Sequence, residues 1–515
     1  MNKTPSFSPF GGVKRLLLLL SLLPIAISTK ALPQRGSGEG ALTLSLSDCI
    51  AMARRQSVAA AVALNELKSA YWQWRSYKAD LLPEVTFSAN GNYNKRYNSY
   101  QQADGGMTYV RNDYLGLNGS LYVTQNIWPT GGTISVQSSL DFMNQSGVGG
   151  VNQFMSIPIA INLQQPLFGI NHLKWNRRIE PLRYREAQAR FLSDTEEVAM
   201  KAVEKFFSLL MAGEQVRIAE QNVQTAEKLY EVAQAKRRMG SISENDVLQM
   251  KLDLLNARSD LTNSESNRQA YQFALQSFLD VDEEIELISP DSVPSLSARA
   301  GGETGRISYE EVLDHALANN AFATTMRRCQ LEADYSVAAA KANRQTITLN
   351  AQLGYTGVGD KLGGAYRDLL SNQVVSVGFI IPILDWGKRK GRLKMAESNR
   401  EIVQGQLRQQ AQEFRQSLFV LTEQFNNQAE QLRIASQADT IAQRRYYTNV
   451  ETFKIGTIST LELSNAQTAK DQARLGRINQ LYYYWRYYYQ LRSIALWDFE
   501  KNCDLSEDVE RLIER

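Results

Sequence analysis

Two long stretches with few helix breakers constrain the fold of this chain more than any other feature of its sequence. Residues 387–454 contain no proline, and residues 170–239 contain only Pro181, close to the start of the stretch. A helix of about 68 residues would extend roughly 100 Å at 1.5 Å per residue. Because helices of globular domains rarely exceed about 20 residues, these helices are expected to pack side by side as a coiled coil or a helical barrel.

Both long stretches end in the same turn, which is written twice at positions 216 residues apart. A glycine suits the left-handed position that ends the arriving helix, and a serine three residues later can cap the departing helix. Both turns are therefore predicted at the far end of the molecule. The turn residues are Gly240, Ser241, Ile242 and Ser243 in the first copy, and Gly456, Thr457, Ile458 and Ser459 in the second.

The repeated turn is part of a repeated plan for the whole chain. Residues 32–288 are interpreted as a first repeat, with strands at about 83–168 and a helical hairpin at about 170–280. A linker rich in Pro, Gly and Ser occupies residues 289–306. The second repeat, residues 307–500, has strands at about 345–385 and a hairpin at about 387–498, and residues 501–515 form a tail.

The predicted strands alternate apolar residues with Asn, Gln, Ser and Thr, so that every apolar side chain lies on one face. A half-buried sheet of a soluble protein is one interpretation, but the solvent-exposed face of such a sheet usually carries Lys and Glu rather than the Asn, Gln, Ser and Thr found here. Residues 1–31 are interpreted below as a secretory signal peptide, and on an exported chain a sheet with one apolar and one uncharged polar face favours an outer-membrane β-barrel. Two matched strands in each repeat are too few to close a barrel, so closure requires several protomers. The first repeat has about 46 extra residues with another alternating pair, which either joins the wall or lies outside it.

Residues 1–31 have a short basic segment followed by an apolar run, and they are interpreted as a secretory signal peptide. A buried N-terminal helix is the alternative. These residues contain four cations and no acid, so their removal changes the formal net charge from +3 to −1. A nearly neutral exported chain gives no reason to expect a nucleic-acid partner.

The residues that commonly carry chemistry are few and widely separated. The two histidines are His172 and His315, and the three cysteines, Cys49, Cys329 and Cys503, fit no metal-ligand spacing. Neither histidine has a nucleophile motif beside it. The sequence therefore predicts no catalytic residue, no metal site and no cofactor, and it predicts that the protein is not an enzyme.

The two copies, their strand ends and their turns together resemble the TolC-like outer-membrane efflux family. The residues that carry the resemblance are "QPLFG" at 165–169, "IPILDWGKRKG" at 381–391, and the two turns with the helix starts that follow them. The resemblance implies an α+β membrane protein with two internal repeats per protomer. It implies a homotrimeric outer-membrane barrel of twelve strands, four from each protomer, continued by a long periplasmic helical barrel.

The resemblance also implies function and partners. It implies a passive exit duct for solutes that is engaged by a periplasmic adaptor at the two turns and supplied by an inner-membrane transporter. In this family, acidic residues six and nine positions after the second glycine can ring the closed tunnel entrance. These positions are Glu462 and Asn465 here, and Asp246 is the first-copy equivalent of Glu462. The alternative function is that of an extracellular or periplasmic coiled-coil structural or adaptor protein.

Overall fold

The structure is a computed structural model that describes residues 42–146, 151–290, 306–342, 346–380, 383–455, 457–506 and 509–513. The predicted signal peptide and most of the predicted linker lie outside these ranges. The helices are Leu46–Gln56 (α1), Val58–Ala79 (α2), His172–Arg238 (α3), Glu244–Leu279 (α4), Tyr309–Asn319 (α5), Ala321–Ala342 (α6), Lys388–Ile455 (α7), Thr460–Ala495 (α8) and Val509–Ile513 (α9). The strands are Leu42–Leu44 (β1), Glu84–Gln101 (β2), Met107–Ile127 (β3), Gly132–Ser146 (β4), Val151–Phe168 (β5), Ile285–Leu287 (β6), Thr346–Gly359 (β7), Leu370–Ile380 (β8), Trp497–Asp498 (β9) and Cys503–Asp504 (β10).

The two long stretches are single helices, α3 of 67 residues and α7 of 68 residues. Pro181 lies inside α3 and does not end it. Ala212, Ala219 and Ala233 of α3, which are spaced by multiples of seven residues, are buried, as in a heptad seam where helices approach closely. The predicted long helices are therefore confirmed.

Each long helix is flanked by two shorter ones of 22 and 36 residues. In the first repeat α2 packs along the start of α3 and α4 packs along its remainder, while α6 and α8 take these places beside α7. At the joint between α2 and α4, the Gln56 side chain donates to the Leu279 carbonyl at 2.8 Å. At the joint between α6 and α8, the Asn320 side chain donates to the Ile494 carbonyl at 2.8 Å. One protomer thus provides four helical columns. Two are the continuous helices α3 and α7, and two are jointed columns, one made of α2 and α4 and the other of α6 and α8.

Six long strands form one antiparallel sheet in the order β2-β3-β4-β5-β7-β8. The extra alternating pair of the first repeat is β3 and β4, and it lies inside the sheet between β2 and β5. This protomer therefore has six strands in its sheet, two more than the four that the family resemblance implied. The physical reason is that β3 and β4 carry the same period-two alternation as their neighbours, so they extend the same apolar face.

The main apolar core lies where the jointed columns meet the short elements. β1 and β6 form a parallel pair, and α1 and α5 pack beside them against the long helices. Phe206, Leu279 and Tyr488 are fully buried there. The core also holds a buried carboxylate, Glu196, which bonds Arg54 at 2.5 Å and Arg492 at 3.2 Å. These two arginines satisfy a charge that would otherwise be costly to bury.

Across the described ranges, none of the helices combines the length and apolar character needed to cross a bilayer.

Candidate functional site

The first helical turn connects α3 to α4 through a complete left-handed cap. Gly240 has φ +74°, and its amide donates to the Arg237 carbonyl at 2.9 Å. The Ser241 amide donates to the Lys236 carbonyl at the same distance. These two bonds satisfy the carbonyls that end α3, and the positive φ explains why glycine is used here.

The departing helix α4 begins with a capping box. The Asp246 amide donates to Ser243 Oγ at 3.2 Å, and the Ser243 amide donates back to the Asp246 carboxylate at 3.0 Å. The Ser243 hydroxyl also donates to this carboxylate, at 2.7 Å. The hydroxyl bond, followed by the backbone bond, holds the pKa of Asp246 below its usual range. Asp246 therefore stabilises the turn as an anion at the helix N-terminus.

The second turn repeats this geometry between α7 and α8. The Thr457 amide donates to the Thr452 carbonyl at 3.3 Å, which is the counterpart of the bond from Ser241 to Lys236. The Glu462 amide donates to Ser459 Oγ at 3.2 Å, and the Ser459 amide donates to the Glu462 carboxylate at 3.1 Å. Gly456 itself lies outside the described residues. Both hairpins therefore end in equivalent turns, with a carboxylate at the same position of each cap.

The predicted aperture residues are placed as follows. Glu462 and Asn465 are exposed near the start of α8, and Asp246 is half-buried at the start of α4. Glu462 and Asp246 lie on different hairpins, and each carboxylate is bonded to the serine of its own turn. Both carboxylates thus have a local capping role, which was not predicted for them from the sequence.

Apolar side chains, which were not predicted as functional residues, surround the two turns. Met239 directly follows the arriving helix α3, and Ile455 is the last residue of α7. Leu248 and Leu461 lie near the starts of the departing helices, and all four side chains are exposed. Ile458 differs, because it packs against a small cluster that includes Phe453 and Leu463. The signal in the sequence was an apolar residue immediately before each turn glycine.

A polar link above the turns holds the two hairpins together. Arg474 of α8 donates to Glu214 of α3 at 2.8 Å and to Asp439 of α7 at 3.3 Å. The side chains of Glu214 and Asp439 are only 12% and 4% exposed. Burial alone would raise the pKa of Glu214, but hydrogen bonds from Arg217 and Arg474 outweigh it and lower this pKa. Arg474 therefore joins the first hairpin to both helices of the second.

The two histidines make structural contacts. Nδ1 of His172 lies 2.6 Å from the hydroxyl oxygen of Tyr335. The ring of His315 stacks on the ring of Trp497, with 3.9 Å between the two ring centroids. In the part of the chain that the structure describes, no group of three or more His, Cys, Asp or Glu side chains is arranged to hold a metal ion.

Comparison with known proteins agrees with this architecture. Residues 132–280 and 283–495 match the outer membrane efflux protein family, and the chain belongs to that family. The protein is an outer-membrane exit channel of a tripartite efflux system, with a periplasmic helical extension. Members of this family are channels, form trimers, and act with adaptors and inner-membrane transporters. The membership decides between the two functions that the sequence left open, in favour of the exit duct.

Solved structures show the same fold at low sequence identity. The CmeC outer membrane channel of Campylobacter jejuni is 15% identical with a TM-score of 0.58, covering 94% of this chain and 93% of CmeC. The open state of the MtrE outer membrane channel of Neisseria gonorrhoeae is 14% identical with a TM-score of 0.59, covering 90% and 91%. The outer membrane protein VceC of Vibrio cholerae is 15% identical with a TM-score of 0.54, covering 90% and 97%. The comparison with curated proteins found no match.

Proposed function

We propose that this chain assembles as a homotrimer in outer-membrane lipid and uses its two helical turns to dock a periplasmic adaptor, which connects it to an inner-membrane transporter. The observation that carries the proposal is the equivalence of the two turns, each surrounded by exposed apolar side chains. An amphipathic hairpin of an adaptor would bury Met239 and Leu248 at one turn and Ile455 and Leu461 at the other. Two turns with the same backbone geometry would then offer two similar apolar grooves around the ring.

Unpartnered apolar seams at the two outer edges of the protomer support the trimer. On α4, Leu252 and Leu255 are exposed three residues apart, and α7 exposes Ile434 and Ile441 seven residues apart. Soluble monomers rarely expose seams of this kind. Four columns cover only part of a closed wall. The edge with α4 of one protomer would therefore pack against the α7 edge of the next protomer.

A contact within the protomer indicates how these edges would meet. Tyr335 of α6 contacts His172, the first residue of α3. The equivalent places in the other copy are Trp72 on α2 and Lys388, the first residue of α7. The side chain of Trp72 is 56% exposed at the edge of the protomer. In the trimer Trp72 would therefore lie against Lys388 of the partner subunit, where a cation over an indole ring is favourable.

The tunnel entrance is assigned to the starts of α8 in the three protomers. A threefold ring of Glu462 would concentrate negative charge and favour cations, and Asn465 would add a ring of amides one turn further along. Asp246 lies on the other hairpin, so we assign it to the outer part of the entrance. The capping bond from the Ser459 amide orients Glu462 without neutralising its charge.

Site-specific photo-crosslinking in cells tests the docking turns. A photoreactive residue at Ser241 or Thr457 is expected to trap a periplasmic protein that contains a helical hairpin, identified by mass spectrometry. The matched control is Glu265, an exposed position in the middle of α4. Absence of such a product at both turns, or an equal yield at Glu265, would overturn the assignment of the turns as the docking site.

A further inference from the structure

The hairpin formed by β3 and β4 is a full part of the sheet. Its strands have 21 and 15 residues, more than the roughly 10 residues that a tilted strand needs to cross a bilayer. β2 is paired with β3 along the whole length of β2, from Glu84 opposite Thr124 to Gln101 opposite Met107. β4 pairs with β5 with one register shift. The pair therefore separates β2 from β5 at every level of the sheet.

The apolar face of the sheet continues across this hairpin. One transverse row shows the continuity: Val85 pairs with Val123, Val123 with Val136, Val136 with Ile161, and Ile161 with Leu353. Directly paired residues project to the same face of an antiparallel sheet. β3 and β4 thus present apolar side chains to the same side, and at the same level, as the strands on either side of them.

The end of the hairpin is fixed where the sheet meets the helices. The Gln125 side chain donates to the Leu81 carbonyl at 2.8 Å, and the Asn126 side chain donates to the Asp80 carbonyl at 3.0 Å. From the other side, Asn171 donates to the Trp128 carbonyl at 2.9 Å. These bonds connect the hairpin to the end of α2 and to the start of α3, so the hairpin is part of the wall and not a flap beside it.

The width of the sheet can be compared with the width of the helical columns. Six strands about 4.8 Å apart and tilted by about 40° cover an arc of about 38 Å, whereas four would cover about 25 Å. Four helical columns about 9 Å apart cover about 36 Å. With six strands, and not with four, the sheet and the helices of one protomer cover equal arcs.

We propose that three protomers close an eighteen-stranded barrel that is as wide as the helical tunnel beneath it. The corresponding backbone diameter is about 36 Å, against about 24 Å for twelve strands of the same tilt. The membrane segment then does not select cargo by size, and bulky solutes that a twelve-stranded barrel of this tilt would exclude can leave. This inference rests on the trimer of the proposed function and adds the number of strands and the size class of the cargo.

The internal repeat predicts how the barrel closes. Within the protomer the two repeats join where Leu163 of β5 pairs with Ala351 of β7. The repeat offsets place Phe379 of β8 at the position of Leu163, and Ala89 of β2 at the position of Ala351. Ala89 of one protomer is therefore expected opposite Phe379 of the partner subunit.

Three measurements test the closure, the number of strands and the width. The pair Ala89→Cys and Phe379→Cys is expected to give a covalent trimer on mild oxidation, whereas Ala89→Cys with Ser376→Cys, on the other face of β8, is not. Electron cryo-microscopy of the detergent-extracted protein is expected to show eighteen strands. Polymer exclusion from the outer side is expected to give a cut-off radius at least about 1.5 times that of a variant in which a two-residue turn replaces residues 102–150, because side chains reduce the lumen of a narrow barrel by the larger fraction.

The outcomes separate this inference from the trimer itself. A mass of three protomers with twelve strands in the wall would overturn the inference and leave the proposed function intact. A trimer whose cut-off radius equals that of the shortened variant would also overturn it. A mass of one protomer would instead overturn the homotrimer, whatever the strand count. If the shortened variant does not fold, the strand count of the unaltered protein still decides the question.

Discussion

Replacing Arg474 with alanine is expected to loosen the contact between the two helical hairpins and to increase leak through the channel. Arg474 bonds Glu214 on one side and Asp439 on the other. In this structure it therefore holds α8 to both α3 and α7. Any opening that parts the second hairpin from the first must break its bond to Glu214.

The size of the effect follows from burial. Breaking a fully buried ion pair costs about 3–5 kcal/mol, whereas an exposed pair contributes about 0–1 kcal/mol. The side chain of Arg474 is 29% exposed, and after its loss Glu214 keeps Arg217 while Asp439 keeps Arg477 at 3.6 Å. A loss of about 1–2 kcal/mol is therefore expected. At a factor of ten per 1.4 kcal/mol, the open state would be about 5- to 30-fold more populated.

Planar-bilayer recordings of purified trimers measure this change as mean conductance in the absence of partners. Arg433→Ala is the matched control, because Arg433 bonds Glu430 of its own helix at 2.6 Å and both side chains are largely exposed. Conductance of the control should equal that of the unaltered protein. Equal conductance of Arg474→Ala, with the trimer still intact by mass, would refute the assigned role of Arg474.

Two further predictions concern the entrance and the subunit contact. Glu462→Gln keeps an oxygen that can accept from the Ser459 amide but removes the charge, so reversal potentials in a salt gradient should show weaker cation preference. Asp246→Asn, in the outer part of the entrance, should weaken this preference less than Glu462→Gln does. Equal selectivity of all three proteins would contradict the Glu462 ring. Trp72→Ala should lower the temperature at which the trimer dissociates in detergent, because it removes a ring that is exposed in the protomer and that the proposed trimer would cover. An unchanged dissociation temperature would contradict the contact with Lys388.

Features encoded locally in the sequence could be predicted from it. The long helices follow from the scarcity of breakers, and a glycine followed three residues later by a serine indicated both turns. The spacing of Ser459 and Glu462 is also a local capping signal, so the capping role of Glu462 could have been found. The alternation of the strands identified their apolar face but not their neighbours.

The features that depend on distant pairing could not be predicted in the same way. Arg474 and Glu214 are 260 residues apart, and many other charged residues on these helices could have faced each other. The place of β3 and β4 depends on pairing with β2 and β5, and alternation is equally compatible with a hairpin outside the wall. The helices, the strands and their repeat could therefore be predicted from the sequence, whereas the contacts between distant elements could be identified only from the structure.

The jointed columns have a mechanical consequence for the lower half of the molecule. Where α8 ends, the bond from Asn320 to the Ile494 carbonyl connects it to the start of α6, and no continuous helical backbone crosses that point. Such a joint can change angle without breaking a hydrogen bond inside either helix, whereas α7 can only curve gradually. α8 is about 54 Å long, so a rotation of about 10° at the joint near Ile494 displaces the turn at its other end by about 9 Å.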